Sequence, residues 1–180
     1  MKGVVFNLFE EVVSRDYGEE AWDKVLDSAG LDGAYTSLGG YSDADFYALV
    51  AAASEALAQP PDEVVRWFGR EALPLLATSY PQFFEPHGST RAFVLTLNEI
   101  IHPEVRKLYP GADVPVFDFD TTSEEVLRMG YSSQRQLCSF AEGLIEGAAG
   151  HYGERASIQQ PSCMKRGDAK CLLEISFEAA

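Results

Sequence analysis

The stretch Val114-Pro115-Val116-Phe117-Asp118-Phe119 divides the chain into two regimes, because here a helical spacing of apolar residues gives way to alternation. A strand is therefore predicted from Val114 to Phe119. Glu125 to Tyr131 is a second strand candidate, and Thr121 to Glu124 reads as the turn of a hairpin between them. Farther on, Ala156 to Gln160 and Cys171 to Phe177 bracket the turn-forming Lys165-Arg166-Gly167-Asp168, which predicts another hairpin. A helix from about Ser133 to Tyr152 connects the two pairs.

Before Val114 the spacing is helical throughout. From Lys2 to Tyr17 the residues Val5, Phe9, Val12 and Val13 form one stripe, with Gly18 at the C-cap position. A second helix runs from Glu19 to Ala29 and stops at Gly30. Ser42 or Asp43 caps a third through Phe46, Leu49, Val50 and Leu57, ended by Pro60 and Pro61. Pro61 and Asp62 open a fourth, Glu63 to about Tyr80, in which Pro74 is expected to end or kink the ladder. Ser89 caps the longest, Thr90 to Tyr109, closed by Pro110 and Gly111.

The predicted fold class is α+β: an N-terminal helical portion packed on a C-terminal portion with a small antiparallel sheet and helices. No internal repeat or long linker interrupts the chain. One domain over 1–180 is expected, with 1–60 as the helical portion and 61–180 as the α/β portion.

Composition narrows the function. With 14 basic and 28 acidic side chains among 180 residues, the formal charge is −14, which repels a phosphate backbone. Nucleic acid and anionic membrane are thus poor partners. The longest apolar run, Phe46 to Ala53, is far short of the roughly 20 residues that a bilayer crossing needs. Glu10 and Glu11 follow closely on the start within a helical pattern, which does not fit a signal peptide, so a cytoplasmic protein is expected. The 46% hydrophobic residues suffice for a core without staples, and three cysteines point to free thiols, a metal site or a redox pair. No Ser/His/Asp set, paired catalytic carboxylates or phosphate-cradling glycine loop stands out, so no enzyme is predicted. Asp118 and Asp120, alternating with aromatics, read as the solvated face of a strand.

Among three histidines, His87 lies in a turn-like Glu85-Pro86-His87-Gly88 and His151 at a helix end; neither is informative. His102 shares a helix face with Leu95, Asn98, Val105 and Tyr109. An imidazole turned toward a core either satisfies its nitrogens with hydrogen bonds or ligates a metal. Pro103 removes an amide donor and crowds the Glu99 carbonyl, which strains the backbone at the histidine. Tyr131, Ser133 and Arg135 stand at i, i+2 and i+4, where an extended segment meets a helix. A phenol, a hydroxyl and a guanidinium there suit carboxylates or phosphates, although a Ser N-cap beside a surface Arg is the plainer reading.

A single apolar-facing histidine together with a clamp for two carboxylates is the requirement of a b-type heme. The sequence resembles the heme nitric oxide/oxygen binding (H-NOX) family, found also as the sensor domain of soluble guanylate cyclase. Met1-Lys2-Gly3, His102 with Tyr109-Pro110-Gly111, and Tyr131-Ser132-Ser133-Gln134-Arg135 carry the resemblance over essentially the whole chain. It implies an H-NOX fold with heme between the two portions. It further implies His102 as the proximal iron ligand, and Tyr131, Ser133 and Arg135 as partners of the heme propionates. Pro115 matches a proline that bends the macrocycle, and Val5 and Leu144 match residues of the distal side.

Members of the family that hold O2 have a distal Tyr that donates to it; here Phe140 stands in its place, and Phe9 on the same side is no donor either. The resemblance therefore implies a ferrous heme that binds NO and CO and discriminates against O2. NO weakens the bond opposite to it, so His102 is expected to leave the iron, with the heme bend relaxing at Pro115. No output domain is recognisable. A separate histidine kinase or cyclic-di-nucleotide enzyme is the implied partner.

Cys163 and Cys171 lie four residues either side of Gly167, and Cys138 is placed to pack on the same sheet. Three thiols could hold zinc, which prefers four ligands. In members of the family that have such a site a His precedes the second Cys by three residues, whereas here Gln160 stands there and leaves the fourth ligand missing. His151 is a speculative substitute. A thiol redox switch and buried inert cysteines are the other readings, so a thiol- or zinc-based redox sensor, or a binding module of the same shape with another ligand, is the alternative function.

Overall fold

A computed structural model describes residues 1–180. The chain forms α1 (Gly3–Tyr17), α2 (Glu19–Ala29), α3 (Asp43–Leu57), α4 (Pro61–Ser79), α5 (Thr90–Val94), α6 (His102–Leu108), β1 (Val116–Asp120), β2 (Val126–Ser132), α7 (Cys138–His151), β3 (Glu154–Ser162) and β4 (Cys171–Ala179). The two predicted hairpins merge into one antiparallel sheet of order β1-β2-β4-β3, with Tyr131 of β2 opposite both Phe117 and Cys171. No helix is long and apolar enough to cross a membrane.

Caps fix the early helices where the sequence places them. The Ser42 hydroxyl accepts from the Ala44 amide at 3.1 Å, and Gly30 ends α2 in the left-handed region at φ 69°. Three predicted elements differ. α4 runs unbroken through Pro74 to Ser79. Proline deprives the Arg70 carbonyl of its donor, and that carbonyl lies against Gly147 of α7, where no side chain intervenes. Burial of Leu73 and Ala77 on either side holds the helix together.

The expected long helix from Thr90 to Tyr109 is divided. Between α5 and α6, Leu97–Ile101 forms a π-helical turn, with the Ile101 amide bonded to the Thr96 carbonyl and the His102 amide to that of Leu97. α6 then starts at His102, so Pro103 falls in a first turn where its missing N–H costs nothing. The expected strain is relieved by the wider turn. Likewise α7 begins at Cys138 rather than near Ser133, because Gln136 adopts a left-handed φ of 49° and keeps 133–137 as a loop.

Two hydrophobic cores result. One gathers Phe6, Phe9, Trp22, Phe46 and Leu49 from α1 to α3, and the other packs α7 with the inner face of the sheet through Ile145, Leu127, Met129, Leu173 and Ile175. α4 serves both: Val64, Val65, Phe68 and Ala72 belong to the first, Leu73 and Ala77 to the second. A division at residue 60 therefore cuts through the N-terminal core, since a 19-residue helix is about 28 Å long and spans both. α4 and α7 touch backbone to backbone, because a Cβ on Gly143 would lie 2.0 Å from the Arg66 carbonyl oxygen. Arg66 adds ion pairs across this seam to Glu142 and Glu146.

Candidate cofactor site

His102 stands half-buried at the start of α6, stacked on Phe117 with ring centroids 5.4 Å apart and planes at 27°. Burial pushes its pKa from 6.5 down to about 4; Arg106 acts in the same sense, and the Pro115 carbonyl opposes as an acceptor. At neutral pH the imidazole is uncharged and can offer a lone pair to a metal. The other end of α6 is tied down by a hydrogen bond between the phenols of Tyr109 and Tyr80, which links it to the end of α4. Nothing in the local sequence pattern marks Tyr80 for this role.

Tyr131 lies near the end of β2, and Ser133 and Arg135 in the loop that follows it. The buried Tyr131 hydroxyl accepts from the Leu137 amide at 3.0 Å, and Ser133 Oγ accepts from the Arg135 amide at 3.2 Å. Burial pushes the Tyr131 phenol up to about 12, so it stays protonated and can also donate. The guanidinium of Arg135 already grips carboxylates: Nε pairs with Asp43 Oδ2 at 2.8 Å and Nη1 with Asp113 Oδ2 at 3.2 Å. Asp43 and Asp113 were not legible as site residues, because they lie 92 and 22 positions away from Arg135. A fork that holds two carboxylates is chemically suited to two propionates.

At the margins of the two cores, several apolar side chains keep part of their accessible surface. Val5, Leu137 and Phe140 border the N-terminal core half-buried, as Leu97, Val105 and Leu144 border the other. Phe140 stacks on Phe68 at 5.1 Å, and neither Val5, Phe68, Phe140 nor Leu144 has a hydroxyl. Phe9, expected on the same side, has no accessible surface and is enclosed by Trp22, Phe46 and Phe68. A neutral imidazole, a carboxylate clamp and an apolar margin fit a heme.

The family model described as Haem-NO-binding matches residues 2–160. The chain belongs to the H-NOX family. These domains are heme-based gas sensors, sensor modules rather than catalysts, and they signal to partners. The chain is similar to the H-NOX protein of S. oneidensis in its Fe(II)NO state, at 30% identity over 99% of each chain with a TM-score of 0.92. An NMR structure of the Shewanella oneidensis domain in the Fe(II)CO state matches at 29% identity over 100% of each chain, with a TM-score of 0.90. The unliganded Fe(II) H-NOX protein of K. algicida is similar at 26% identity, covering 100% of this chain and 98% of that one, with a TM-score of 0.88.

The H-NOX chain also brings its cysteines together. Cys163 Sγ lies 3.8 Å from that of Cys138 and 3.9 Å from that of Cys171, all three thiols being free and buried. His151 is not among them. It is at the opposite end of α7 from Cys138, about 20 Å away along the helix, and packs on Phe84 and Tyr152. No histidine or carboxylate joins the three sulfurs, so the donor set does not complete the four ligands of a structural zinc.

Proposed function

We propose that this chain is a cytoplasmic NO sensor, in which His102 holds a ferrous b-type heme that binds NO and CO and discriminates against O2. The observation that carries the reading is the half-buried His102, stacked on Phe117 and kept neutral by burial. When bound, the heme would supply the gas-binding iron, held by His102. The rest is the work of this chain.

Tyr131, Ser133 and Arg135 hold the propionates, with Asp43 and Asp113 yielding or sharing the guanidinium. Pro115, whose carbonyl accepts from the His102 side chain, would lie against the macrocycle. Phe140 and Leu144 present no donor on the distal side, which leaves O2 without the hydrogen bond it needs and costs NO little. His102 would be the residue released on NO binding, and the π-helical turn before it would let α6 shift. The change in α6 and β1 is read by a separate histidine kinase or cyclic-di-nucleotide enzyme, as one ligand biases a two-state element.

The deciding experiment is a visible spectrum of the reduced protein under argon, air and NO. The reading expects one spectrum under argon and air alike, and a shifted Soret band under NO. A protein that stays colourless with added hemin, or whose spectrum changes in air to a stable new form, overturns it.

A further inference from the structure

The thiol cluster lies outside the heme machinery and has a definite chemistry of its own. Cys138 opens α7, Cys163 follows β3 and Cys171 opens β4, so three separate elements deliver one sulfur each. The three ligand atoms lie within 4.8 Å of one another. An ion about 2.3 Å from each of three sulfurs in one plane spaces them roughly 4 Å apart, and the two shortest separations are 3.8 and 3.9 Å. Three oxygen or nitrogen donors would suit hard or borderline ions; three sulfurs select soft ones.

Zinc needs a fourth donor, from the protein or from water. Neither is at hand. The cysteines are 1%, 4% and 0% exposed, which leaves no solvent-facing position for a water ligand. At the sequence position where a nitrogen ligand would complete the set, Gln160 offers an amide. Its Nε2 is buried without a hydrogen-bond partner and has no lone pair to give a metal, and its carbonyl oxygen is a harder and weaker donor than an imidazole. The Met164 amide donates to Cys171 Sγ at 3.3 Å, a hydrogen bond that a metal-bound sulfur would keep.

We propose that Cys138, Cys163 and Cys171 form a three-sulfur site for a soft ion that is satisfied by three ligands, Cu(I), in preference to zinc. The ion binds by displacing thiol protons, with no change in oxidation state of metal or sulfur. This site is independent of His102, so its failure leaves the gas-sensing reading untouched.

The test titrates the heme-loaded, reduced, metal-stripped protein under argon with Cu(I) against a Cu(I) chelator, and with Zn(II) against a zinc chelator. The expected result is one Cu(I) per chain with three sulfurs and no lighter donor in X-ray absorption. Gln160→His is expected to raise zinc affinity on the order of 100-fold by restoring a fourth ligand. Cys163→Ala removes the sulfur common to both short separations and should abolish the three-sulfur signature. The proposal is overturned if the unaltered protein holds zinc as tightly as Gln160→His does, or if copper binds through fewer than three sulfurs. Both of those readouts use folded protein even where Cys163→Ala does not accumulate.

Discussion

The side-chain amide of Asn98 grips the backbone of Phe117 on both sides, donating to its carbonyl at 2.6 Å and accepting from its N–H at 3.3 Å. β1 is an edge strand, and Asn98 thus takes the place of a missing neighbouring strand. Because the Phe117 ring stacks on His102, the π-helical turn fixes the imidazole through the sheet as well as through its own backbone.

Asn98→Ala should therefore loosen the proximal side without touching the heme. Two hydrogen bonds are lost, and the freed Phe117 groups can reach water at the edge, so a stability loss of about 1–2 kcal/mol is expected. Denaturant unfolding measures that loss. An iron–histidine stretching band that broadens or shifts in resonance Raman would report the altered imidazole, and an unchanged band would mean that Phe117 does not position it.

His102→Gly removes the proposed proximal ligand while leaving Tyr131, Ser133 and Arg135 in place. Heme retention should fall and recover when imidazole is added. With imidazole supplied, the ligand is no longer covalently joined to α6, so NO should cease to regulate the partner enzyme. Regulation that persists unchanged would show that α6 is not the path.

Phe140→Tyr sets a hydroxyl on the distal margin, on a ring already held by stacking on Phe68. A hydrogen bond to a partly negative ligand contributes roughly 1.5–3 kcal/mol, which corresponds to about 10- to 100-fold tighter O2 binding. Stopped-flow O2 dissociation on the variant tests it. NO affinity should change little.

The depressed pKa of His102 makes stability depend on pH. Above pH 6.5 neither folded nor unfolded chain protonates the ring; below it the unfolded chain takes up a proton that the native imidazole, with a pKa of about 4, refuses. Stability should then fall as pH drops from 6.5 toward 4 and level off beneath. The size is roughly 2 kcal/mol once solvent contact of the half-buried ring is allowed for. Urea unfolding of the heme-free protein across this range, compared with His102→Phe, isolates the contribution. Parallel curves for the two proteins would refute it.

Gly143→Ala tests the helix seam. The added methyl meets the Arg66 carbonyl and the Arg70 amide, both backbone, so α4 and α7 must move apart. A loss of about 2–4 kcal/mol is expected by thermal or denaturant unfolding. Gly150→Ala on the same helix, with open space around it, serves as the neutral control.

Local pattern in the sequence determined a good deal here. Helical spacing and caps fixed α1 to α3 almost to the residue, and alternation placed all four strands, because each of these signals lies within a few neighbouring residues. The approach of Cys163 to Cys171 across a turn was legible from residue type at a given spacing. Tertiary structure decided the rest. Whether Pro74 breaks α4 depended on a glycine of α7; where the long helix divides depended on Asn98 meeting β1. Which carboxylates hold Arg135, and how completely Phe9 is enclosed, follow from contacts between distant segments. Such contacts are set by how whole elements fill space, and no window of adjacent residues contains that information.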